Sequence, residues 1–100
     1  MAINKQKILD ALRTNGNKLH SRFSVKKIGL FGSYARGEQG KASDIDFLVE
    51  FDEPSFDHYM DLKFFLENLL KANVDLVMAD TLKPRLKPYI EQEVIYAQGL

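Results

Sequence analysis

The stretch GSYARGEQGKASDIDFLVEF, residues 32–51, decides the fold of this 100-residue chain. A Gly-Ser pair follows an apolar segment, and Asp44-Ile45-Asp46 opens the next one. Residues two apart in an extended strand point to the same side, with Cα atoms roughly 6.6 Å apart. We therefore expect Asp44 and Asp46 to face one point, opposite a turn at Gly32 and Ser33.

The aspartate pair has no benefit for stability alone, because two carboxylates roughly 6 Å apart repel by about 3 kcal/mol at an effective dielectric constant of about 20. A divalent cation between them turns the repulsion into attraction, and Mg²⁺ prefers oxygen ligands of this kind. The Gly-Ser turn adds backbone N–H groups and a hydroxyl, which suit a phosphate. The stretch therefore predicts a metal ion beside a phosphate group.

Composition narrows the class of protein. One hundred residues favour a single domain over residues 1–100. Fourteen basic residues balance fourteen acidic ones, which argues against direct nucleic-acid binding through a basic surface. The absence of cysteine excludes a disulfide framework and thiolate metal sites. No apolar run approaches a membrane span and the N-terminus lacks the apolar core of a signal peptide, so we expect a cytoplasmic protein without membrane contact.

Hydrophobic periodicity predicts helices around the central stretch. Residues 5–23 follow a helical pattern with Gly16 as a weak point. Residues 54–71 form the clearest helix, with apolar side chains at offsets 0, 3, 4, 7 and 8 from Leu62. Ser33 suits the N-cap of a short helical turn. A final helix is expected over residues 88–97.

Three short strands are predicted, over residues 25–31, 44–51 and 74–78. The first and second must run antiparallel if the Gly-Ser turn is to lie beside the start of the second. The helix between the second and third favours a right-handed crossover, which makes those two strands parallel. The predicted fold is α/β (α+β), a small mixed sheet of about three strands flanked by helices. It places Asp75 beside Asp44 and Asp46.

Asp75 lies in an otherwise apolar strand, where a polar side chain is costly without a partner. On an edge strand it would simply face solvent. The alternative is a third carboxylate of a metal site. In two-metal phosphoryl chemistry, cations about 3.5–4 Å apart stabilise the attacking and leaving oxygens. A carboxylate beside the attacking hydroxyl can also accept its proton, and the position of Asp75 fits that role.

This set of motifs resembles the minimal nucleotidyltransferases of the DNA-polymerase-β-like superfamily. The matching residues are Gly32-Ser33, Ala35-Arg36-Gly37, Ser43-Asp44-Ile45-Asp46 and Asp75. The resemblance covers nearly the whole chain and implies a polymerase-β-like nucleotidyltransferase fold. It also implies transfer of a nucleoside monophosphate from a nucleoside triphosphate, with ATP favoured, to a hydroxyl, releasing pyrophosphate.

The resemblance assigns Gly32 and Ser33 to triphosphate binding. It assigns Asp44, Asp46 and Asp75 as the catalytic residues and the Mg²⁺ ligands of a two-metal site, with Asp75 as third ligand or base. Arg36 either contacts a phosphate through its planar guanidinium or pairs with Glu38 or another acid to hold the loop. Ser43 either contributes to nucleotide binding or only caps the strand entry, and we favour the cap.

Small stand-alone members of this family are often the antitoxin half of a toxin–antitoxin pair. Their partner is a helical HEPN-domain ribonuclease, which they silence by adding AMP to a tyrosine, and a HEPN-domain toxin is the partner we expect. The balanced charge permits this, since an acceptor protein needs no basic groove. Two alternatives stay open: a non-catalytic antitoxin that caps its toxin by direct complex formation, and nucleotidyl transfer to RNA or a small molecule such as an aminoglycoside. Homo- and hetero-oligomers are equally open.

Overall fold

A computed structural model describes residues 3–98 of the chain. Within them lie the strands β1 (Val25–Phe31), β2 (Ile45–Phe51), β3 (Val74–Met78) and β4 (Ile95–Tyr96). The helices are α1 (Lys5–Thr14), α2 (Gly16–Phe23), α3 (Gly32–Arg36), α4 (Phe56–Leu70) and α5 (Lys87–Glu93), with a 3₁₀ turn at Ala79–Thr81. No helix in this part of the chain has the length and apolar character needed to cross a membrane.

The strands form one mixed sheet in the order β3-β2-β1-β4. β1 runs antiparallel to β2, and β2 runs parallel to β3, which confirms both predicted strand directions. β4 pairs antiparallel with the free side of β1. The crossover from β2 through α4 to β3 is the connection that parallel neighbours require. β2 therefore occupies an inner position, and β3 is an edge strand.

The core lies on one face of the sheet and explains why β2 presents Asp46 on the other. Ile45, Phe47 and Val49 are fully buried, and Leu62 of α4 belongs to the same apolar cluster. Leu66 of α4 is also fully buried, and α1, α2 and β1 contribute Ile8, Leu12, Leu19, Val25, Ile28 and Leu30. Because side chains alternate along a strand, burial of these β2 residues turns Asp46 away from this apolar cluster.

The predicted N-terminal helix is interrupted one residue before its weak point. α1 ends at Thr14, and Asn15 takes φ −99° and ψ 14° before α2 begins at Gly16. The backbone N–H and the side-chain Nδ2 of Asn15 both donate to the carbonyl of Ala11, at 3.1 and 2.8 Å. These bonds close the end of α1 before α2 begins.

Two predicted helix and strand starts are corrected by the structure. β2 begins at Ile45, so Asp44 is the residue before the strand. α3 begins at Gly32 with Phe31 in the N-cap position, and Ser33 therefore lies inside this helix rather than capping it. By contrast, Ser55 does cap α4, because its Oγ accepts the His58 N–H at 3.0 Å.

The end of the chain differs from the prediction. The expected helix over residues 88–97 ends at Glu93, and the next residues pair with β1 as β4, a fourth strand. Gly29 permits this pairing, because a β-carbon there would lie 2.6 Å from Val94 Cγ2. β-branched residues such as Val94 and Ile95 favour strands. Pairing with the open edge of β1 is therefore preferred to the helix that their apolar spacing predicts.

Candidate active site

The Gly-Ser turn lies directly against the second aspartate of the central motif. Gly32 has φ +76°, a left-handed conformation that favours glycine. A β-carbon at Gly32 would collide with Asp46 Oδ2 and would lie 2.9 Å from Asp46 Cγ. Both the backbone conformation and the close approach therefore require glycine here. The turn and the carboxylate form one surface.

The parallel register brings the distant acid to the same place. Asp46 and Asp75 are directly paired across β2 and β3. Asp46 is half-buried, whereas Asp44 and Asp75 are exposed. Burial raises the pKa of Asp46 to about 6, and the charges of Asp75 and Asp44 raise it as well, while Arg36 acts in the opposite direction. Asp44 and Asp75 therefore both lie close enough to Asp46 for their charges to act on it.

The donor set suits a hard divalent cation, although the side chains do not already enclose one. Among residues 3–98, no three acidic, histidine or cysteine side chains are gathered into a ready-made metal site. Asp44 and Asp75 are exposed, so neither carboxylate is fixed by packing. Carboxylate oxygens are the ligands that Mg²⁺ prefers, and the repulsion that raises the pKa of Asp46 is what a cation would relieve. Assignment of Asp44, Asp46 and Asp75 as metal ligands stays a prediction.

Glu93 is a site residue that the sequence analysis missed. Its Oε2 accepts the Gly32 N–H at 2.8 Å, and its Oε1 accepts Arg36 Nη1 at 2.9 Å. Although burial acts to raise the pKa of Glu93, the Gly32 hydrogen bond and the Arg36 guanidinium lower it overall. Within α5, nothing local distinguishes Glu93 from the exposed Glu91. Because Phe31 cannot cap α3, the first N–H groups of this helix need an acceptor from elsewhere in the chain. The local sequence does not indicate which residue supplies it.

Arg36 forms the predicted pair with Glu38 in addition to its contact with Glu93. Arg36 Nε lies 3.2 Å from Glu38 Oε1, and the side chain is about half exposed. Both acids raise the pKa of Arg36, with the Glu93 hydrogen bond as the main cause. A role of Arg36 at a phosphate stays a prediction.

Ser43 organises the loop that leads to the aspartates. Its Oγ accepts the Gly40 N–H at 2.9 Å, and its own N–H donates to the Gly40 carbonyl at 3.2 Å. It therefore closes a turn within the loop, a structural role close to the cap that we favoured. Binding of nucleotide by Ser43 stays a prediction. An open groove of about 930 Å³ runs from Asp44 along this loop to Asn73.

A small mixed sheet with a Gly-Ser turn packed against strand-borne aspartates is the architecture of a nucleotidyltransferase. The family model described as a nucleotidyltransferase domain matches residues 6–97. The chain belongs to this family.

Relatives of known sequence agree over nearly the full chain. The protein adenylyltransferase MntA of Thermococcus cleftensis is 42% identical over 92 residues, which cover 91% of this chain and 93% of the relative. A protein of Methanocaldococcus jannaschii, also named as a protein adenylyltransferase, is 46% identical over 93 residues, which cover 89% of this chain and 93% of the relative. The chain is thus a minimal nucleotidyltransferase of the type to which MntA belongs.

Solved structures show the same fold. A structure described as a minimal nucleotidyltransferase superposes with a TM-score of 0.72 at 36% identity, covering 87% of this chain and 93% of the other. A toxin–antitoxin crystal structure with AMP-PNP gives a TM-score of 0.69 at 26% identity, covering 88% of this chain and 73% of the other. The predicted family, fold class and enzyme class are confirmed.

Proposed function

We propose that this chain transfers AMP from ATP to a hydroxyl of a partner protein, with Mg²⁺ as cofactor. We propose further that the partner is the HEPN-domain toxin of a toxin–antitoxin pair. One observation carries the proposal: the Gly-Ser turn touches Asp46, and Asp46 is paired in register with Asp75. The names of the relatives support the adenylyl reaction, and the AMP-PNP complex of a similar protein supports ATP as the donor.

Each site residue has its own role in this reaction. Gly32 and Ser33 bind the triphosphate, and Asp44, Asp46 and Asp75 would hold the metal. Mg²⁺ bound there would neutralise phosphate charge and acidify the attacking hydroxyl. Asp75 accepts the proton of the attacking hydroxyl. The hydroxyl oxygen forms a bond to the α-phosphorus, the bond from that phosphorus to the bridging oxygen of the β-phosphate breaks, and pyrophosphate leaves.

Exposure favours a large acceptor. Asp75 lies on an edge strand with its side chain exposed, and Asp44 is exposed at the rim of the groove. A folded protein that offers a tyrosine can approach such an open site. The balanced charge of the chain also gives RNA no broad basic surface.

The test is transfer of labelled AMP from ATP to the cognate toxin in the presence of Mg²⁺. Asp44→Asn and Asp46→Asn should each reduce labelling by at least about two orders of magnitude. Asp61→Asn, an exposed aspartate of α4, is the matched control and should label normally. Wild-type protein that leaves the toxin unlabelled would contradict the proposal. An Asp46→Asn variant that silences the toxin as well as wild type would instead identify direct complex formation as the mechanism.

A further inference from the structure

The first turn of α3 needs an acceptor that its own neighbourhood does not provide. The N-cap residue, Phe31, has no side chain able to accept a hydrogen bond, and Gly32 is buried. A buried N–H without a partner is costly, so it must be satisfied from elsewhere. Glu93 does this from 61 positions further along the chain. The backbone of the Gly-Ser turn is therefore held by the end of α5.

One carboxylate fixes two parts of the site. The second oxygen of Glu93 holds Arg36, whose side chain is otherwise about half exposed and long enough to adopt many rotamers. Charge-assisted bonds of this kind are among the stronger hydrogen bonds in proteins. Arg36 is the last residue of α3, the short helix that begins with the Gly-Ser turn, so Glu93 holds both ends of this helix.

Glu93 is itself held in place by the sheet. The residues after it form β4, with Tyr96 paired to Gly29 and the Ala97 N–H donating to the Ile28 carbonyl at 2.9 Å. The carboxylate therefore stands on an element anchored to β1, the same strand that leads into the Gly-Ser turn. The pairing of β4 with β1 therefore fixes the position of Glu93 relative to the Gly-Ser turn.

We propose that Glu93 is a positioning residue, which holds the Gly-Ser turn and Arg36 in the orientation that binds the triphosphate of ATP. The inference rests on the proposed function, since the triphosphate is the ligand it invokes. Two other roles predict different results. A purely structural cap would affect folding alone. A carboxylate that blocks the turn would weaken ATP binding in the wild type, and its removal would strengthen binding.

The experiment compares Glu93→Ala and Glu93→Gln with Ser55→Ala. Glu93→Ala removes both bonds. Glu93→Gln keeps an acceptor for Gly32 but presents an amide group that cannot accept from Arg36. Ser55→Ala removes the N-cap of α4, away from the site, and so provides a loss of stability without loss of positioning. For each variant we would measure the melting temperature, the exchange rate of the Gly32 amide, the Kd for MgATP, and the KM and kcat of toxin labelling.

Glu93→Ala should raise the KM for ATP by about tenfold, the loss expected for charge-assisted hydrogen bonds, with much less change in kcat. The KM of Glu93→Gln should fall between the values for Glu93→Ala and wild type. The Gly32 amide should exchange faster in Glu93→Ala, whereas Ser55→Ala should lower the melting temperature and leave KM unchanged.

Three results would overturn the inference. An unchanged KM and Kd in Glu93→Ala would mean that Glu93 only caps the first turn of α3. Tighter MgATP binding would identify a blocking carboxylate. Unchanged exchange of the Gly32 amide would show that the bond does not hold the turn. Failure of the proposed function would look different, because the wild type itself would then neither bind MgATP nor label the toxin. That result would also remove the inference about Glu93.

Discussion

Asp46→Asn should make the metal-free protein more stable while it abolishes transfer. The wild-type carboxylate is half-buried, and burial together with the charges of Asp75 and Asp44 raises its pKa. An amide of the same shape removes this repulsion without leaving a cavity. Sites that gather like charges for a cation are expected to carry such a stability cost until the cation binds.

The size and sign of the effect follow from the pKa. In the folded protein Asp46 loses its proton near pH 6, whereas its ordinary value is 3.8. Between these values the folded state binds more protons than the unfolded state, so the free energy of unfolding falls as pH rises through this window and stays low above it. The full displacement corresponds to about 3 kcal/mol. Because the side chain is partly exposed, solvent screening reduces the expected effect to about 1–2 kcal/mol.

The assay is urea unfolding with EDTA at pH 7.5 and pH 4.5. Asp46→Asn should exceed wild type by about 1–2 kcal/mol at pH 7.5, and the difference should shrink at pH 4.5, where wild-type Asp46 is protonated in the folded state. Adding Mg²⁺ at ten times its dissociation constant should stabilise wild type by about 1.4 kcal/mol and the variant by less. Asp61→Asn should match wild type at both pH values.

The reasoning is refuted if Asp46→Asn is less stable than wild type at pH 7.5, or if its advantage is the same at pH 4.5. The first result would mean that Asp46 stabilises the fold as a carboxylate, and the second that the gain in stability does not come from removing its charge. The repulsion among the three acids would then be too weak to indicate a cation site.

Four further variants test the Gly-Ser turn, the core and the pairing of β4. Gly32→Ala should cost about 1–3 kcal/mol and abolish MgATP binding by calorimetry, while Gly37→Ala, which has φ +73° but open space around it, should show the conformational cost alone. Leu62→Ala removes a fully buried side chain and should cost about 2–5 kcal/mol in urea unfolding, with labelling per folded molecule unchanged. Gly29→Ala would force the last strand away from β1 and should raise the KM for ATP by displacing Glu93, and an unchanged KM would contradict that connection.

Local patterns in the sequence were sufficient for most of the framework. The apolar spacing from Leu62 identified α4, and the alternation around Asp46 identified β2, because helical and extended backbones impose different side-chain periods. The Gly-Ser turn and the aspartate pair were visible as motifs for the same reason, since each is contained within a few residues. The chemistry assigned to one end of β2 indicated that β1 and β2 are antiparallel, and the helix between β2 and β3 indicated that these two strands are parallel.

Only the tertiary structure decided what distant segments do to one another. Residues 95–96 carry an ambiguous apolar pattern, and their strand exists because β1 offers a free edge beside Gly29. The bond from Gly32 to Glu93 links segments 61 residues apart, and no local spacing encodes it. The in-register pairing of Asp46 with Asp75, which places two carboxylates side by side, likewise depends on how the crossover through α4 returns the chain to the edge of β2. Motifs specify which groups are available, whereas the packing of the whole chain determines which of them meet, because contact between remote residues depends on every element that separates them.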